Sequence, residues 1–133
     1  MSRRSANGDV MTEIGVEPGG LTAAARQATP GDVILLGPGI YRERLVADVP
    51  GVTWKAAEPG TAVIDGGWQG ESLGADKTGG PPVVALAAPG VTVQGIRIVN
   101  APGFGATISA DECVLRGCEL DNIYGSGIVA NGA

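Results

Sequence analysis

The chain contains no histidine among its 133 residues. That excludes a Ser-His-Asp or Cys-His catalytic unit and any His-ligated metal built within it. Aromatic residues are scarce: two Trp, two Tyr and one Phe. Only two cysteines occur, Cys113 and Cys118, too few for a zinc set without histidine. Positive charge is the minority, nine Lys and Arg against fourteen Asp and Glu, for a net charge of −5, and no basic run extends beyond Arg3-Arg4. Nucleic acid is therefore not an expected partner, because phosphate binding needs clustered cations. No stretch approaches the roughly 18 consecutive apolar residues of a membrane span. Ser2-Arg3-Arg4 is not followed by the apolar run of an export signal, and residues 1–12 read as a disordered polar lead-in.

What the chain does have is 23 Gly and 9 Pro, about a quarter of all positions. That is roughly twice the share of an average protein. Helix interiors do not tolerate so many breakers. Disorder is excluded by a composition that is 44% hydrophobic and only 17% charged. Short strands joined by turns remain. The one segment with strong helix propensity is 21–28, Leu-Thr-Ala-Ala-Ala-Arg-Gln-Ala, bounded by Gly19-Gly20 and Thr29-Pro30-Gly31-Asp32. Leu21, Ala24, Ala25 and Ala28 fall on one narrow apolar stripe. So short a helix needs an apolar surface to lie on.

After Asp32 the period changes. Val33-Ile34-Leu35-Leu36 and Ile40-Tyr41-Arg42-Glu43-Arg44-Leu45-Val46 have the lengths and flanks of strands. Further on the chain repeats itself. Val91 matches Cys113, Val93 matches Leu115, Ile96 matches Cys118 and Ile98 matches Leu120. Asn100 matches Asn122, Gly103 matches Gly125 and Gly105 matches Gly127, every pair 22 apart. Pro50-Gly51-Val52-Thr53 recurs as Pro89-Gly90-Val91-Thr92 at a spacing of 39, one period plus an insertion of 17 that is assigned to the loop 66–82. Within each repeat apolar residues alternate, skip a corner, and alternate again. Strands that point like residues onto like, turn after turn, describe an all-β parallel solenoid of about four coils, with a short amino-terminal capping α-helix. The domain is expected to span 13–133.

This register assigns individual side chains. Cys113 and Cys118 replace Val91 and Ile96 in interior columns and read as buried reduced thiols. Asn100 and Asn122 share a corner, where Asn accepts left-handed backbone and an amide can bond its neighbour, a structural ladder. Arg97 faces outward opposite Glu119, and Gln94 lies over Arg116. Glu43 shares parity with Tyr41 and Leu45 and reads as a structural group serving backbone near the cap.

The helix at 21–28, Pro30-Gly31-Asp32-Val33-Ile34-Leu35-Leu36, Pro38-Gly39-Ile40-Tyr41-Arg42-Glu43, the Pro-Gly-Val-Thr openings and Gly95-Ile96-Arg97-Ile98-Val99-Asn100 together resemble the amino-terminal entry of the pectin-lyase-like superfamily. The resemblance covers roughly 20–133. It implies a right-handed parallel β-helix whose helix plugs the end of the stack. It leaves the reaction open among polysaccharide lyases, pectin esterases, hydrolases, phage tailspikes and non-enzymatic surface proteins. It also implies an extracellular or periplasmic location, and calcium as the one cofactor it allows. Ending in mid-repeat, the sequence reads as the first part of a longer solenoid, its open carboxy-terminal coil pairing with missing chain or another subunit.

A sugar-binding surface is sought first in the 66–82 loop, since loops thrown out from a coil carry binding residues. It holds Trp68, Asp76 and Lys77. Two roles fit Trp68: a stacking face for a sugar ring, or a cover folded over the coil. Arg97 and Arg116 are the further cationic candidates for an acidic polysaccharide. No catalytic group and no metal set is assigned. The expectation is a polysaccharide-processing or polysaccharide-binding protein, first a part of a carbohydrate-active enzyme such as a polysaccharide lyase. The alternative is a non-catalytic module for surface attachment or sugar binding.

Overall fold

The computed structural model describes residues 2–3, 13–69, 82–125 and 127–130. Of the lead-in read as disordered over 1–12, the described part is β1 (Ser2–Arg3), a strand that pairs antiparallel with β2 (Glu13–Val16). Then follow α1 (Leu21–Gln27) and four coils of three short strands. They are β3 (Val33–Leu36), β4 (Gly39–Tyr41) and β5 (Leu45–Ala47); β6 (Thr53–Ala56), β7 (Ala62–Asp65) and β8 (Val84–Leu86). The last two are β9 (Thr92–Gln94), β10 (Arg97–Ala101) and β11 (Ala106–Ile108); β12 (Val114–Arg116), β13 (Glu119–Ile123) and β14 (Ile128–Ala130). Three sheets result, β1-β2-β3-β6-β9-β12, β4-β7-β10-β13 and β5-β8-β11-β14. From β2 onward each strand pairs in parallel with its counterpart one coil away. The solenoid thus has about five turns rather than four. The extra rung is β2, which joins the first sheet beneath β3 with Ile14 under Ile34 and Val16 under Leu36.

Alternation along each strand builds the core, because every second side chain points inward. Ile14, Ile34, Trp54, Val93 and Leu115 form one interior column. Tyr41, Ile64, Ile98 and Leu120 form another, and Leu45, Val84, Ala106 and Ile128 a third. In the middle coils these residues are fully buried. Trp54 is the largest of them, and its indole N–H has no partner among the described residues, at a cost of about 1–3 kcal/mol that the burial of the ring offsets. Burial weakens in the last coil, where Leu115 and Leu120 are half-covered and Ile128 is exposed. For the same reason Cys113 and Cys118, expected to be buried, are half-buried: both are free thiols packed against the core, with no described coil over them.

The 22-residue register holds across the last two coils in all three sheets. The additional seventeen residues, however, are not one loop. Thr53 pairs with Thr92, 39 positions on, whereas Val63 pairs with Arg97, only 34 positions on. Five of them therefore lie at the corner between β6 and β7, and twelve between β7 and β8. Glycine at 66 is required by close approach, since a Cβ there would lie 2.6 Å from the Asn100 carbonyl oxygen.

The capping helix buries Leu21, Ala24 and Ala28 and half-buries Ala25, the expected stripe. Gly20 at its N-cap has no side-chain bond to offer, and the first turn has no acidic residue. Glu43 supplies both from the coil above. Its carboxylate accepts from Gly19 N at 2.7 Å, Thr22 N at 3.0 Å and Thr22 Oγ1 at 3.2 Å. Burial opposes its charge, but bonds from the backbone of Thr22, Gly19 and Leu21 and the Thr22 hydroxyl outweigh burial and hold the carboxyl below its usual value. Beside it, the Tyr41 hydroxyl shares its proton between Gly37 O at 2.7 Å and Val16 O at 3.0 Å. Burial, then Glu17 and Glu43, push its pKa up to about 12. β2, α1 and this polar clasp close the stack at that end.

Candidate functional site

The five aromatic residues divide into two groups. Tyr41 and Trp54 lie in the core. The other three, Trp68, Phe104 and Tyr124, stand at one edge of the solenoid, at the corner between the second and third sheets in successive coils. Phe104 and Tyr124 are 38% and 46% exposed, so their rings face solvent although burial in the core would favour them more. Trp68 and Tyr124 meet edge to face, ring centres 5.2 Å apart and planes at 72°. Phe104 lies against the backbone of Gly125, where a Cβ would come 3.3 Å from its Cδ1.

The corner is rigidly built. Tyr124 N donates to Ala101 O at 2.9 Å and Gly125 N to Gly103 O at 2.8 Å. The 66–82 insertion leaves and returns at this edge: Trp68 N donates to Asn100 O at 2.9 Å, and Val83 N to Phe104 O at 3.2 Å. Of the two roles open for Trp68, the ring contact to Tyr124 joins it to a surface aromatic cluster. Asp76 and Lys77, in the same loop, lie outside the described residues.

Next to the aromatics runs a polar ladder. Asn122 Nδ2 donates to Asn100 Oδ1 at 2.8 Å, and Asn100 Nδ2 donates to Asp65 Oδ1 at 3.1 Å. Both asparagines are left-handed, with φ of 58° and 57°. Asp65 also accepts from Gly67 N at 2.7 Å. The repeat does not reveal Asp65 as a member, because Gly66 holds the ladder position in that coil and the carboxylate reaches across from one residue earlier. Phe104 and Tyr124 were equally hidden, having no aromatic counterparts 22 residues away; only their places beside Gly103, Gly105 and Gly125 signalled a corner.

The two arginines singled out by sequence are not brought together. Arg97 is on the outer face of the second sheet, its Nε 3.1 Å from Glu119 Oε1 and a terminal nitrogen 4.0 Å from Asp121 Oδ2. Arg116 is on the outer face of the first sheet, in register with Gln94 and Lys55. Among the described residues no three Cys, Asp or Glu gather to hold a metal ion, and the outward Glu119 and Asp121 already face Arg97. No described helix is long and apolar enough to cross a membrane.

No family model and no curated protein matches the chain. Solved structures do. A pectin methylesterase in complex with hexasaccharide VII superposes with a TM-score of 0.57 at 18% identity, over 74% of this chain and 36% of that one. Pectin methylesterase PemA from Erwinia chrysanthemi superposes with a TM-score of 0.60 at 19% identity, over 80% of this chain and 40% of that one. This is the pectin-lyase-like parallel β-helix fold. The chain spans about two fifths of the length of these β-helix proteins, and identity this low carries the architecture alone.

Proposed function

We propose that this β-helix binds polysaccharide along the edge formed by Trp68, Phe104 and Tyr124, as part of a polysaccharide-processing protein. The observation that carries the reading is the concentration of all three non-core aromatics at one corner of consecutive coils. An aromatic platform offers its faces to the C–H side of a sugar ring, while neighbouring polar groups bond its hydroxyls. The exposed Asn122 amide at the end of the ladder supplies such a group. That one neighbouring structure was obtained with a hexasaccharide, and that both are named pectin methylesterases, makes an acidic plant polysaccharide the first ligand to try.

Lyase chemistry needs a cation free to neutralise a uronate near a base. Arg97 is engaged by two carboxylates and Arg116 stands on a different sheet, so binding rather than elimination is the reading put forward. Affinity electrophoresis in gels containing pectate, methyl-esterified pectin, alginate or a neutral glucan tests it. Retardation by at least one of these gels is expected, weakened about tenfold in Tyr124→Ala and Trp68→Ala, each removing one aromatic contact. Unchanged retardation in both variants, with native circular dichroism, would refute the aromatic edge. Ultraviolet absorbance of unsaturated product during incubation with the same polymers reports lyase activity independently.

A further inference from the structure

A second feature lies at the capped end. Between α1 and β5 the surface opens into a groove of about 350 Å³. It exists because a helix of seven residues replaces the strands that the second and third sheets would have in that rung, and its small alanines leave the outer face of β5 uncovered. The floor is apolar: Ala25 from the helix, Val46 on β5, which is 39% exposed, and Val49 just beyond. Around it stand three charged groups, Arg26 in the last turn of α1, Arg44 ahead of β5 and Asp48 behind it.

Among the described residues these charges do not pair with one another. Neither Arg26 nor Asp48 has an ion-pair partner among the described residues. Arg44 is held by a 2.8 Å bond from its Nε to Pro82 O, the returning end of the insertion. That bond uses the inner nitrogen and fixes the plane of the guanidinium, whose terminal nitrogens make the fork that matches a carboxylate. Two of the chain's nine cationic residues thus line one groove, where Asp48 and the Glu43 carboxylate bonded to Thr22, a further lining residue, balance their charge and leave the guanidiniums as local donors.

We infer that this groove binds a small hydroxylated carboxylate. Arg26 and Arg44 take the carboxylate, Asp48 accepts from a hydroxyl, and the Ala25, Val46 and Val49 floor takes the apolar face of the ring or chain. Asp48 disfavours a doubly charged phosphate and favours an acid that also carries donors. The size is at the low end for small-molecule sites, suited to one or two sugar-sized rings. The acid is either a free molecule or the end unit of a polymer. This site is separate from the aromatic edge and stands without it.

Titration of the ¹⁵N-labelled full chain with D-galacturonate, D-galactose, acetate and a galacturonate trimer tests the inference. Galacturonate is expected to give saturable amide shifts confined to α1 and β5, with galactose and acetate each at least about tenfold weaker, since each lacks one half of the recognition. Arg44→Gln and Arg26→Gln are each expected to weaken galacturonate about tenfold, and Arg44→Lys less. Asp48→Asn is expected to narrow the gap between galacturonate and acetate. A trimer that binds more tightly than the monomer identifies a polymer end; equal affinity identifies a free acid. Absence of saturable shifts, equal shifts with galactose, or unchanged affinity in both folded Arg→Gln variants would overturn the site. Tyr124→Ala leaves these shifts unaltered, so failure here and failure of the aromatic edge are told apart.

Discussion

At the corner that leads into each strand of the first sheet, Pro-Gly occurs at 30–31, 50–51 and 89–90, and the glycines have φ of 90°, 73° and 74°. In the last coil the register puts Asp111-Glu112 there, and Glu112 is forced to φ 61°. A residue with a Cβ in that region is strained by about 1–2 kcal/mol, and Glu lacks the local bonding that lets Asn100 and Asn122 occupy it. Glu112→Gly should therefore stabilise the chain by about 0.5–1 kcal/mol, the strain relief less the added freedom of the unfolded glycine. Thermal unfolding would show a higher midpoint; a lower one would mean that Glu112 makes a contact worth more than its strain. The recurring Pro-Gly corner was legible from the repeat, its left-handed backbone only from the structure. That the corner keeps the same geometry despite a disfavoured residue was not legible either, because backbone conformation there is imposed by the neighbouring coil.

Among the elements, α1 depends most on a partner. Seven residues cannot hold a helix in water, its N-cap is a glycine, and its first-turn N–H groups are satisfied by Glu43 from another coil. Because the folded carboxyl titrates below its ordinary value of 4.5, the unfolded chain takes up the proton first. The contribution is thus fully present above about pH 4.5 and is lost as pH falls through the folded pKa. Glu43→Gln should lower stability at pH 7 by about 1–2 kcal/mol, moderated by the partial exposure of the group, and should lose less than the parent between pH 5 and 3 (roughly the carboxylate range). Parallel curves of midpoint against pH for the two proteins would show that Glu43 does not clasp the helix. Sequence parity was enough to turn Glu43 inward. It did not disclose which N–H groups it would meet, since Gly19 and Thr22 lie more than twenty residues away and reach it only once α1 is folded across the end.

At the scale of the whole molecule, a stack in which each coil touches only its neighbours is stabilised most in the middle. The interior residues of β6, β7, β9 and β10 are buried above and below, while those of β12, β13 and β14 are covered on one side among the described residues. Hydrogen exchange should follow that gradient, with amides of the middle coils protected longest and those of β12–β14 exchanging first. Uniform protection across all coils would indicate a single cooperative unit. The same stacking accounts for the aromatic edge: Trp68, Phe104 and Tyr124 are separated by 36 and 20 positions in the chain and become neighbours only because the coils bring one corner into line.

The sequence alone determined the solenoid architecture of this protein, the 22-residue step, the capping helix and the asparagine ladder. Those features follow from local spacing, and spacing is preserved when like residues stack on like. The tertiary structure alone decided that the extra seventeen residues divide between two corners, that β2 adds a rung, that Asp65 extends the ladder and that the last-coil cysteines are only half-covered. It also decided that Arg26, Arg44 and Asp48 line one groove. Each depends on how far a side chain reaches across coils or on what lies over it, and neither quantity is periodic in the chain.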